Sequence, residues 1–322
     1  MEPFKLIPPV KDYIWGGTRL RDEYGKQSSS ERLAESWELA CHKDGTSIIS
    51  GGKYDGRPLT DFIAEHPEAL GDNCRNFEHF PVLIKLIDAH DNLSVQVHPD
   101  NKYALEHEGE YGKTEMWYIV DCEPDSEIIY GFKDKISKDD FRSAIENNTL
   151  LDKVNHVPVK KGDVFFIKAG TLHAIGKGIL IAEIQQNSNT TYRVYDYNRT
   201  DSNGNKRELH IEKAIDVTEL EPIENSNQEK IIAEGTDYSL TELLAKCRYF
   251  TVYKDTIMQE NRFHRNKNSF THILVTDGEG TLFSNDDCFA YNMKFTKGES
   301  IFIPAGMKWI INGKCSIIYT VI

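Results

Sequence analysis

One segment of this chain is written twice. Lys161-Gly-Asp-Val-Phe-Phe-Ile-Lys-Ala-Gly-Thr-Leu-His-Ala-Ile175 aligns with Lys297-Gly-Glu-Ser-Ile-Phe-Ile-Pro-Ala-Gly-Met-Lys-Trp-Ile-Ile311, 136 residues further on. Each copy reads as a turn, a short strand, a tight turn at Ala-Gly and a second strand. A repeat on this scale means one supersecondary unit used twice, so the chain must build two related β modules. The partner strands are expected at Met116–Val120 and His272–Thr276. The first copy then carries about 20 extra residues, which a helix near 137–150 accommodates.

The rest of the chain agrees with that reading. Segments 81–87, 93–98, 116–120, 164–167, 179–184 and 190–195 are short, β-branched or aromatic, and bounded by turn formers. Helical patterns are fewer: 59–69, 137–150 with Ser137 as N-cap, and 209–220. The polar stretch Pro222–Gln228 reads as a linker, which divides the chain into 1–221 and 222–322. Length fits, since 322 residues predict roughly two domains. The expected fold class is mainly β, as barrels or sandwiches with helical insertions in the first module.

Charge and cysteine content narrow the partners. A net charge of −13 argues against nucleic acid or an anionic membrane as the main partner, so an anionic ligand needs a local basic site. No segment approaches the run of about 20 apolar residues that spans a bilayer, and the N-terminus lacks the apolar core of a signal peptide. Six scattered cysteines without a C-x-x-C spacing suggest neither a disulfide framework nor a thiolate metal site. These features point to a cytoplasmic protein.

The chemistry is concentrated around residue 96. In Ser94-Val-Gln-Val-His98 the alternation puts Ser94, Gln96 and His98 on one strand face and the two valines on the other. A polar face turned into a β module needs partners or a metal, because an unsatisfied buried polar group costs about 1–3 kcal/mol. Glu115 opens the next aromatic strand, and His173 follows the first Ala-Gly turn, where the second copy has Trp309. Two imidazoles, a carboxylate and an amide suit Zn²⁺, with Fe²⁺ or Mn²⁺ as competitors.

The G-x5-[KP]-x-G-x2-[HW] pattern of both copies resembles a cupin motif. Together, Ser94-Val-Gln-Val-His-Pro-Asp100, Lys113-Thr-Glu115, Ala169-Gly-Thr-Leu-His-Ala174 and the stretch 184–196 around Tyr-Arg193-Val-Tyr resemble the class I mannose-6-phosphate isomerases in their short bacterial form. The match runs from Tyr13-Ile-Trp-Gly-Gly17 to Pro304-Ala-Gly-Met307. The resemblance implies two cupin-like β-barrel (jelly-roll) modules, the second degenerate and without metal ligands. It implies a zinc-dependent interconversion of mannose 6-phosphate and fructose 6-phosphate through a cis-enediol. It places the family's zinc ligands on Gln96, His98, Glu115 and His173, its active-site arginine on Arg193, and substrate-binding positions on Lys85, Ser94, Lys113 and Glu183. Two departures stand out. Only 58 residues separate Glu115 from His173, where longer members carry a helical insertion, and Ile14 stands where those members often have Asp.

Each residue also has a plain structural reading. Lys85, between Leu83 and Ile87 on one strand face, is either a substrate contact or a snorkelling chain at a sheet edge. Glu183 is an inward acid/base group or the partner of a ligand histidine. Arg193 offers a permanently charged fork to an oxyanion or to phosphate. A cupin Fe(II) dioxygenase would use the two-His, one-carboxylate set but gives no role to Gln96, Arg193, Lys85 and Lys113 together. A non-catalytic sugar-phosphate-binding protein would not need the full ligand set. The expected partner is a small sugar phosphate, with the chain as monomer or homodimer.

Overall fold

A computed structural model describes residues 1–200, 204–223, 231–263, 267–284 and 291–322. The fold is mainly β, as the sequence predicts, with short helices on its flanks. The expected helices appear as Leu59–Glu65, Lys138–Glu146 and Ile211–Val217, and Ser137 caps the second by accepting a hydrogen bond from the Asp140 amide at 3.1 Å. Two further helices, Arg19–Asp22 and Asn101–His107, lie where no helical pattern was read.

Two sheets facing each other build the first module. The six-stranded sheet runs Val164–Ile167, Glu115–Cys122, Ile179–Gln186, Val82–Ala89, Glu35–Leu39, Val10–Lys11. The five-stranded sheet runs Val154–Pro158, Glu127–Phe132, His173–Ile175, Val95–Val97, Tyr192–Tyr195. Trp117, Ile119, Tyr130, Phe165 and Ile181 fill one end of the space between them. Val95 and Val97 face outward onto the helices Lys138–Glu146 and Ile211–Val217, which leaves Gln96 and its neighbours on the inner face.

The repeat is conserved down to its torsions. Gly162 and Gly298 have φ of 89° and 87°, and Gly170 and Gly306 have 89° and 85°, so both tight turns recur with the same left-handed glycines. Val164–Ile167 pairs with the strand beginning at Glu115, with Ile167 opposite Glu115. Ser300–Ile303 pairs in the same way with Thr271–Ser284, with Ile303 opposite Thr271. Thr271 therefore stands in the second module where the first has Glu115, and Trp309, packed in an apolar core, stands where it has His173.

The ten-stranded sheet that holds the C-terminal strands also takes in two strands from the start of the chain. Phe4–Ile7 pairs with Ser300–Ile303 (Phe4 opposite Phe302), and Ile48–Ser50 pairs with Phe4–Ile7 on the other side. Phe4, Phe62, Phe270 and Phe302 then bridge the sheets in one buried cluster. Of the linker expected at 222–228, residues 224–228 lie outside the described residues.

Candidate active site

Register brings the predicted residues together. In the five-stranded sheet His173 lies directly opposite Gln96, and Arg193 opposite Gln96 on the other side. In the six-stranded sheet Glu183 lies opposite Lys85 and Gln185 opposite Glu115. The two inner faces meet around a cavity of about 260 Å³ lined by Lys85, Ser94, Gln96, Lys113, Glu183 and Arg193 among others.

Against the lining residues Gln96 and Lys113 lie His98, Glu115 and His173, the floor of the site, almost completely buried and with their ligand atoms all within 4.8 Å of one another. Each imidazole is anchored from behind: His98 Nδ1 lies 2.8 Å from the Thr190 carbonyl and His173 Nδ1 2.8 Å from the Thr171 carbonyl. A carbonyl only accepts, so both Nδ1 atoms carry the proton and donate it. Burial pushes both imidazoles well down the pH scale, His173 to about 4, and keeps them neutral. Both Nε2 atoms therefore present lone pairs, at 3.7 Å and 3.6 Å from the Glu115 carboxylate oxygens.

Three acceptors facing one another repel. Glu115 Oε1 is buried without a hydrogen-bond donor, and the remaining oxygen, Oε2, has the Lys113 ammonium at 2.9 Å. Burial, together with the neighbouring Glu183, raises the Glu115 carboxyl above its usual range against the pull of Lys113. The donor set therefore fits a divalent cation of Zn²⁺ type: two neutral imidazole nitrogens with fixed tautomers and a carboxylate, all N/O. Gln96 sits beside it with its amide nitrogen 3.4 Å from His173 Nε2. A half-turn of that amide exchanges nitrogen for oxygen without moving the chain.

Above the floor, charges are paired in a chain. Lys113 Nζ lies 3.2 Å from His98 Nε2 and 3.8 Å from Glu183 Oε1, and Lys85 bridges Glu183 and Glu35 at 3.4 and 3.3 Å. Lys85 is inside the module rather than snorkelling at an edge. Burial would lower its pKa, but the two carboxylates outweigh it and raise it. Burial would equally raise Glu183; Lys113, Lys85 and the Trp117 indole N–H at 3.1 Å outweigh it and hold the carboxylate ionised. Ser94 Oγ accepts from Arg193 Nε at 3.2 Å, and Arg193 Nη1 donates to the Glu208 carbonyl at 3.0 Å.

Three titratable lining groups escaped the sequence reading. Glu35 holds Lys85 and takes the Trp37 indole N–H at 2.7 Å. Tyr13 faces the same cavity, its hydroxyl pushed up to about 12 chiefly by burial. Arg207 joins Arg193 at the mouth, held by Asp196 at 2.6 Å. Glu35 alone left a signal, a carboxylate on the Trp37 face of the strand 35–39. The other two come from loops that local pattern does not place.

Comparison with known proteins decides what this arrangement belongs to. The model of the phosphomannose isomerase type I catalytic domain matches residues 3–118, and that of the mannose-6-phosphate isomerase cupin domain matches 239–322. The mannose-6-phosphate isomerase of Streptococcus mutans is 41% identical over 318 residues, covering 98% of this chain and 97% of the relative. The chain belongs to the mannose-6-phosphate isomerase family. A second relative, the mannose-6-phosphate isomerase ManA of Bacillus subtilis, is 41% identical over 95% of this chain and 94% of its own. The crystal structure of the mannose 6-phosphate isomerase from Bacillus subtilis superposes with a TM-score of 0.90 at 36% identity, covering all of both chains. Membership makes this chain an isomerase with a cupin-type fold. Among the described residues no helix is long and apolar enough to cross a membrane.

Proposed function

We propose that this isomerase interconverts D-mannose 6-phosphate and D-fructose 6-phosphate with one zinc ion held by Gln96, His98, Glu115 and His173. The observation that carries the metal is the convergence of two Nε2 lone pairs on the buried Glu115 carboxylate, His98 facing Oε2 and His173 facing Oε1, the oxygen left without a donor. The relatives' names carry the substrate. Bound there, zinc would supply a Lewis acid for the oxygens on C1 and C2 of the sugar.

The protein's own groups account for the rest. Glu183 lines the cavity with an oxygen, Oε1, that has no hydrogen-bond donor, and is the base that takes the C2 proton and returns it at C1. Between the two transfers the sugar is a cis-enediol. Lys113, beside both Glu183 and the floor, donates to the sugar oxygens as charge grows on them. Lys85 is occupied on both sides by Glu35 and Glu183, so its part is to keep Glu183 ionised while its ammonium faces the cavity. Arg193, Ser94 and Arg207 at the mouth take the phosphate, the arginines offering charge-assisted hydrogen bonds. An acidic chain thus binds an anionic substrate through a local cluster of cations.

The functional division follows: every one of these residues precedes 222, and the second module, with Thr271 and Trp309 at the ligand positions, packs and supports. The test is metal analysis with a coupled assay on mannose 6-phosphate before and after chelation. Loss of turnover with the metal and its return with Zn²⁺ are expected. Full turnover after complete metal removal overturns the zinc reading, and no turnover with any loaded metal overturns the substrate.

A further inference from the structure

The orientation of His98 depends on a carbonyl that belongs to no strand. Thr190 lies between Ile179–Gln186 and Tyr192–Tyr195, in a short irregular segment whose Asn189 and Thr191 also line the cavity. Backbone without a ladder must be held by something else.

Glu110 supplies much of that hold. One of its oxygens, Oε2, faces three groups of the segment in succession: the Asn189 amide at 3.3 Å, Thr190 Oγ1 at 3.3 Å and Ser188 Oγ at 3.5 Å. The other oxygen faces the Lys43 ammonium, and His42 Nε2 at 3.6 Å. The carboxylate therefore ties the 41–46 hairpin to the segment that carries the Thr190 carbonyl. Lys43 and the Asn189 amide outweigh partial burial and keep Glu110 ionised, so the anchor is charged at neutral pH. No strand or helix connects these pieces, and Glu110 touches neither the cavity nor the metal ligands.

We infer that Glu110 is a positioning residue for the metal site: by holding residues 188–190 it keeps the Thr190 carbonyl against His98 Nδ1, and so keeps the His98 lone pair on Nε2 aimed at the metal. The inference rests on the zinc reading above. Without the anchor the carbonyl drifts, the imidazole is free to carry its proton on Nε2, and a ligand atom is lost for part of the time. Outer partners of metal-bound histidines are typically worth about 10–100-fold in affinity.

Reach and charge separate in two substitutions. Glu110→Gln keeps the length and an acceptor oxygen but drops the charge, whereas Glu110→Asp keeps the charge and falls one methylene short of the segment. Zn²⁺ affinity of the full-length protein, measured against a competing chromogenic chelator, is the readout, with the thermal midpoint of each metal-free variant confirming that it folds. Glu127→Ala, which removes only the surface partner of His156, is the control. Glu110→Asp and Glu110→Ala should bind zinc about tenfold more weakly or worse, and Glu110→Gln should recover most of the affinity. Wild-type affinity in Glu110→Ala, or loss in Glu110→Gln with retention in Glu110→Asp, overturns the positioning role while leaving the zinc reading intact. Failure of the wild type to bind zinc overturns both.

Discussion

Replacing Lys113 by Met should weaken the metal-free protein and strengthen its grip on metal. The cavity floor and wall hold three carboxylates, Glu35, Glu115 and Glu183, against two ammonium groups, Lys85 and Lys113, so the metal-free site is one negative charge in excess. Lys113 stands 2.9 Å from Glu115 Oε2 and 3.2 Å from His98 Nε2, close to two of the atoms that a metal needs. At an effective dielectric of about 20 the pair with Glu115 is worth on the order of 6 kcal/mol before desolvation. Breaking a buried pair by deleting one partner costs about 3–5 kcal/mol. Glu115, whose carboxyl already lies above its usual range, escapes part of this by taking up a proton, so the lower end is expected. A loss of about 3 kcal/mol corresponds to roughly 4–5 °C in the midpoint of a chain this size. Adding a cation then restores more in the variant than in the wild type, because no ammonium competes for the same oxygen. Differential scanning calorimetry with chelator and with Zn²⁺, followed by a zinc competition titration, measures both halves. An unchanged metal-free midpoint, or a weaker zinc affinity in Lys113→Met, would refute the reasoning.

Three further outcomes are expected. The chelated protein should lose stability as pH falls from about 6.5 to 4, because the unfolded chain takes up a proton at His173 that the folded state, with its imidazole pushed down to about 4, refuses. The His173 contribution is about 3 kcal/mol at 1.36 kcal/mol per unit, present in full above pH 6.5, and urea titrations of wild type and His173→Asn at both pH values should show a pH-dependent loss smaller by that amount in the variant, where the buried His98 still contributes its own share. Arg193→Ala should keep fold and metal but lose about 10²–10³ in kcat/KM, and a wild-type value in steady-state kinetics would remove Arg193 from the mechanism. Trp117→Phe deletes the 3.1 Å indole donor that stabilises ionised Glu183, so the acidic limb of the kcat profile should move to higher pH; an unmoved limb would show that Glu183 is not the group titrating there.

What the sequence made legible was local or periodic. The strand Val164–Ile167 and the Ser137 cap depend on neighbouring residues alone, and both appear as read. The two-residue alternation of 94–98 was enough to separate Gln96 and His98 from Val95 and Val97, because a strand has no other way to place them. Aligning the repeat assigned Trp309 to the His173 position, and sheet register added that Thr271 replaces Glu115. Charges brought together across long separations were not legible. Glu35 meets Lys85, Lys113 turns onto Glu115, and Arg207 reaches the mouth through sheet order and loop paths that no window of sequence contains. The helix Asn101–His107 was missed because its cap, Asp100, lies inside a motif read for chemistry.

Pairing of Phe4–Ile7 with Ser300–Ile303 also sets a timetable. At a synthesis rate of about 5–20 residues per second, the first strand leaves the ribosome roughly 15–60 s before its partner exists. Throughout that interval Phe4 and Leu6, both buried in the finished protein, have Ile48–Ser50 to pair with on one side and nothing on the other. The first module can fold around its own two sheets in the meantime, but the last sheet closes only when the C-terminal strands arrive to capture the first one. A nascent chain halted before residue 300 should therefore be held by chaperones through its first seven residues, and release should coincide with completion of the C-terminal strands.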